Sequence, residues 1–84
     1  MADAQKINLK ARETALKDER NKLDGEIKSL CKQLMVKADY RTLKDLMELD
    51  SAAMIAIASQ LLKSHAEYIG KVSRLAEVED ALYG

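Results

Sequence analysis

Apolar positions recur along most of this chain at spacings of three and four, the period of helices with one covered face. Leu9, Leu16, Leu23 and Leu30 stand seven apart, and the companion positions of the same stripe are Lys6, Glu13, Arg20, Ile27 and Leu34. The stripe is half apolar up to Leu23 and fully apolar beyond it, with Cys31 and Met35 widening it further. This pattern predicts a first helix over about 4–36, capped by Asp3, whose packing tightens towards residue 35.

A second stripe runs through Tyr40, Leu43, Met47, Asp50, Met54, Ile57, Leu61, Ser64 and Tyr68, with Leu46, Leu49, Ala53 and Ala56 beside it. It predicts a second helix over about 40–69. The turn between the two falls at about 37–39, where Lys37 suits a helix C-terminus and Asp39 an N-cap. Neither Gly nor Pro forces a stop there, so one unbroken helix is the alternative. Gly70 offers a similar choice. Either it ends the second helix, leaving Ser73 to cap a short third one over about 73–83, or the helix continues and Leu61, Tyr68, Leu75 and Leu82 keep the step of seven. The acidic group Glu77, Glu79 and Asp80 marks this as the less ordered end. Gly25 lies off the leucine stripe, as a point of close approach or a plain interruption.

The fold class that follows is all-α: a single-domain antiparallel two-helix hairpin, coiled-coil-like, in a chain of 84 residues. The absence of proline and the presence of only three glycines favour helix almost throughout. Fourteen basic and fourteen acidic residues cancel overall. Residues 1–42 carry ten Lys/Arg against seven Asp/Glu, and residues 43–84 four against seven, so the halves are complementary in sign. Nucleic acid is not the expected partner, because phosphate binding wants more uncompensated cations on one face.

One stretch breaks the charged pattern. Ser51 to Leu62 is the only long run without a charge, in a chain that is 33% charged. Its apolar residues are more than one opposing helix can cover, so a homo-oligomer or a heteromeric complex is expected. The expected contact surface is Leu46, Leu49, Ala52, Ala53, Ile55, Ala56, Ile57, Leu61 and Leu62. The run falls short of the ~18 apolar residues that would suggest a membrane span. The N-terminal Met1-Ala2-Asp3-Ala4-Gln5-Lys6 has no apolar core of a secretory signal, which makes a cytoplasmic protein the default expectation.

Candidate chemistry changes this picture little. Cys31 is the only cysteine and His65 the only histidine, so no metal-ligand spacing and no internal disulfide arise. Cys31 is expected to be buried, opposite about residue 45 and far from a surface-exposed His65. No catalytic group, metal or cofactor is expected. Met35, Met47 and Met54 suit gap-filling in a helical core or an adaptable surface. Lys37, Tyr40 and Arg41 near the turn form a candidate grip for a small anionic ligand between subunits.

From Ser29 to Leu62 the chain resembles the small co-chaperones of type III secretion needle subunits. The resemblance lies in Leu30-Cys31-Lys32-Gln33-Leu34 closing the first helix, a short turn, a tyrosine at Tyr40, and the segment Leu49-Asp50-Ser51-Ala52-Ala53-Met54-Ile55-Ala56-Ile57. It implies a helical hairpin that docks on a helical-repeat chaperone or a secretion subunit. The leading expectation is therefore a non-catalytic adaptor or co-chaperone. A phage-type sponge or inhibitor holding a small anion or nucleotide between subunits is the second. A structural coiled-coil subunit is the third.

Overall fold

The computed structural model describes residues 3–84; Met1 and Ala2, part of the stretch read above for a signal, lie outside the described residues. Two long helices, α1 (Asp3–Ala38) and α2 (Ser51–Tyr83), pack antiparallel and are joined by residues 39–50. The fold is the all-α hairpin. Asp3 lies inside the first turn of α1 rather than capping it. There its carboxylate still sits at the positive end of the helix dipole.

The helices meet along the two heptad stripes. On α1, Glu13, Leu16 and Leu23 are buried and Leu9, Arg20, Ile27, Leu30 and Leu34 half-buried. On α2 the line runs Met54, Ile57, Leu61, Ser64, Tyr68, Lys71, Leu75, Val78 and Leu82, all buried or half-buried. The register places Leu16 against Leu75 and Val78, with Leu9 and Leu82 completing the cluster. Lys71 Nζ pairs across the seam with Glu19 Oε2.

Several expectations are corrected. The turn is not a tight 37–39 bend, and the second helix does not begin at residue 40. Two single 3-10 turns, Tyr40–Thr42 and Leu46–Glu48, occupy the connection instead. The cause is a series of three aspartates. Asp39 accepts from Arg41 N, Asp45 from Met47 N and Asp50 from Ala53 N, so each offers the backbone a local partner in place of a continuous helix. Only Asp50 is followed by a run of strong helix formers, and it is the N-cap of α2.

No separate third helix exists, because α2 passes through Gly70 without interruption to Tyr83. A lone glycine costs only about 1 kcal/mol against alanine, and the tertiary contacts of Leu75 and Val78 outweigh it. The acidic end, expected to be the less ordered one, therefore supplies half of the buried apolar core.

Packing also tightens at the opposite end from the one expected. The core cluster lies at the terminal end of the hairpin, whereas Leu34 and Ile57 near the connection are only half-buried. Cys31, expected to be buried, is exposed, as are Met35 and Val36. The broad apolar face near residue 35 meets a single narrow helix, and the connection does not fold over it.

The result is a rod of 66 × 16 × 15 Å with a radius of gyration of 19.0 Å. A compact domain of this length would have a radius of about 12 Å. Among the described residues none is fully buried.

A candidate contact face on the second helix

With the seam stripe of α2 turned towards α1, a second heptad line is left on its far side. It reads Ala52, Ile55, Ser59, Leu62, Ala66, Ile69, Ser73 and Ala76, alternating steps of three and four, and all eight residues are exposed. Ile55 is 68% exposed, Leu62 73% and Ile69 53%. Val72 and Ala58 lie beside the line and are exposed as well. No charge interrupts it between Ala52 and Ala76; Lys63, Glu67, Lys71 and Arg74 all project to other sides of the helix. The outer side of α1 contrasts sharply. Asp18, Lys22, Lys28 and Lys32 are all exposed there.

Large and small side chains alternate along this line: Ile55, Leu62 and Ile69 each stand between Ala or Ser neighbours three or four positions away. Such a surface lets another helix approach closely while three aliphatic knobs enter the gaps. Complete burial of one such aliphatic side chain is worth about 1.5–3 kcal/mol. The whole chain exposes 6444 Å². A compact monomer of 9.4 kDa would expose about 5,000 Å². The difference exceeds the ~800 Å² per partner of a standard protein–protein interface.

The sequence-predicted contact residues fall into three groups. Ala52, Ile55, Ala56 and Leu62 are exposed on α2 and belong to this outer surface or its border. Ala53, Ile57 and Leu61 are half-buried on the side that meets α1, so they hold the hairpin together. Leu46 and Leu49 precede α2 in the connection and are exposed there. Sequence reasoning stopped at the end of the uncharged run and missed Ala66, Ile69, Val72, Ser73 and Ala76. The seven-residue step from Ile55 to Leu62 to Ile69 was the signal that carries the face further.

A second apolar patch sits at the connection end of the rod, where Met35, Val36, Tyr40, Leu46 and Met47 are exposed, Met47 by 90%. The candidate anion grip lies in the same region. Arg41 there is engaged: its Nε and Nη2 donate to Asp39 Oδ1 and Oδ2 at 2.9 and 3.3 Å. This pairing holds the Asp39 carboxyl below its ordinary range and raises the Arg41 guanidinium. Tyr40 and Arg41 line one open depression with Met35, Val36, Ala38 and Asp39. Lys37 is exposed in the last turn of α1. One of the two cations of the grip is thus already neutralised by a neighbour.

Cys31 is exposed on α1, and His65 is exposed on α2 beside the apolar line. Among the described residues no group of three or more His, Cys, Asp or Glu is placed to hold a metal ion. None of the described helices is long and apolar enough to cross a membrane. No family model, curated protein or solved structure matches the chain, so the functional reading rests on this geometry.

Proposed function

We propose that this chain is a small non-catalytic adaptor that acts by protein–protein contact, with the outer line of α2 as its contact surface. One observation carries the reading: an uncharged line of alternating large and small residues runs from Ala52 to Ala76 on a helix whose other side is already packed. Isolated in water, such a line is a sticky surface; covered by another helix, it is an interface. The resemblance to type III secretion co-chaperones agrees with the contact role and would make the partner a helical-repeat chaperone or secretion subunit.

A second reading, a structural coiled-coil subunit, draws support from the elongated 66 Å rod. It uses the same surface and differs only in what the assembly is for. The small-anion reading is weakened by the Asp39–Arg41 pair, which leaves Lys37 as the only cation of the three proposed residues without an ion-pair partner among those described.

Two substitutions two residues apart test the proposal. Ile55→Glu alters the outer line and is expected to abolish complex formation while the helical signal in circular dichroism persists. Ile57→Glu alters the seam with α1 and is expected to destabilise the hairpin itself. If Ile55→Glu assembles as the parent chain does, the outer line is not the contact surface.

A further inference from the structure

We propose that the occupant of the outer line of α2 is the α2 helix of a second copy of this chain, running antiparallel, so that two hairpins form a row of four helices ordered α1, α2, α2, α1. This rests on the contact reading above and names its partner.

Three features of the structure point to a second copy. The first is self-complementarity. With a two-fold axis between Ala66 and Ile69, close to the midpoint of α2, the helices overlap along their whole length. Ile69 then meets Ala66 of the partner subunit, Leu62 meets Ser73 of the partner subunit, and Ser59 meets Ala76 of the partner subunit. Leu62 and Ile69 thus each face a small residue, Ile55 falls opposite Asp80 of the partner subunit, and a two-fold axis repeats every such contact.

The second is charge. Glu77, Glu79 and Asp80 gather at one end of α2, whose first twelve residues carry no charge. A parallel pair would set three carboxylates beside their own copies. An antiparallel pair sets them beside the uncharged first turns of the other helix, at the positive end of its dipole.

The third is the distribution of surface type within the hairpin. From Asp18 to Lys32 the outer side of α1 carries charges, whereas that of α2 carries none between Ala52 and Ala76. A row with α2 helices in the middle and α1 helices outermost puts each surface where it is suited. The exposed area in excess of a compact monomer is also enough to supply one standard interface per chain.

The test uses the full chain in a Cys31→Ser background, with a single spin label at Lys63→Cys or at Glu77→Cys. Light scattering is expected to give twice 9.4 kDa. Pulsed dipolar spectroscopy is expected to place the residue-63 labels within about 20 Å of each other and the residue-77 labels about 30 Å or more apart, from a rise of 1.5 Å per residue either side of the axis. Equal, short distances at both sites would mean a parallel pair and overturn the proposal.

Leu62→Glu with Ile69→Glu separates this proposal from the reading beneath it. A parent chain that stays at the mass of one copy, yet binds a hydrophobic dye that the double variant does not, overturns the second copy and leaves the contact surface standing. A double variant that remains a dimer overturns both.

Discussion

The Tyr83 hydroxyl donates to Glu13 Oε1 across 3.1 Å, joining residues 70 positions apart at the terminal end of the hairpin. Glu13 is only 7% exposed and occupies a seam position where the heptad would otherwise place a leucine. Its second oxygen, Oε2, accepts no hydrogen bond and has Lys17 Nζ at 3.9 Å. Lys10 Nζ lies 5.6 Å from the centre of the Tyr83 ring, so the same tyrosine covers the seam and anchors a cation. The pair fixes register at a point where the apolar stripe is interrupted.

Removing the hydroxyl tests that account. Tyr83→Phe leaves a buried carboxylate oxygen without its donor, and should destabilise the hairpin by about 1–2 kcal/mol in denaturant unfolding. Glu13→Leu completes the apolar seam and should be neutral or stabilising, and in its background Tyr83→Phe should cost almost nothing. An additive double-mutant cycle would show that the two residues do not act together.

Gly25 sits in the middle of α1, and a Cβ built there meets nothing within 4 Å. Its backbone needs no special conformation, since positive φ is absent from the described residues. Gly25→Ala should therefore stabilise the helix by about 0.5–1 kcal/mol, seen as a rise in Tm of several degrees. A loss of stability would reveal a close neighbour at Gly25 that a single hairpin lacks.

The start of α2 depends on Asp50, whose Oδ1 accepts from Ala53 N at 2.9 Å. Asp50→Ala should cost about 0.5–2 kcal/mol, and Asp50→Ser should recover most of it. Thermal melts of the two variants distinguish a cap from a charge effect, because serine restores the acceptor without the charge.

Asp39 has a folded pKa below its ordinary value, chiefly through the Arg41 guanidinium. A lowered carboxyl pKa means the ionised form is favoured by the fold. The contribution is complete at pH values above the ordinary carboxylate value and disappears as pH falls through the depressed folded value. Side-chain carboxyl shifts followed by NMR should show Asp39 titrating below the ordinary aspartate value, and Arg41→Ala should bring it up towards that value.

The hairpin and its seam were legible in the sequence because Leu9, Leu16, Leu23 and Leu30 repeat strictly, and because Met54, Ile57, Leu61, Ser64 and Tyr68 continue into Leu75, Val78 and Leu82. The connection was not, and the reason is physical. Tyr40, Leu43 and Met47 keep helical spacing, so periodicity alone extends the second helix back to residue 40. The competing signal is the local hydrogen bonding of Asp39, Asp45 and Asp50, which periodicity does not register.

The contact surface was half legible. The uncharged run from Ser51 to Leu62 located the region, but it mixed inner residues such as Ile57 and Leu61 with outer ones such as Ile55 and Leu62. Which side each residue takes depends on the register with α1. That register is set by Leu16, Leu75 and Val78, outside the run altogether.

The central claim is that the outer line of α2 is covered in the working protein. The most direct measurement is the mass of the purified chain by size-exclusion chromatography with light scattering, compared with Leu62→Glu/Ile69→Glu over a concentration series. The parent is expected at twice 9.4 kDa, and the double variant at the mass of one chain with its helical signal retained. A double variant that stays at the mass of two chains would contradict the account.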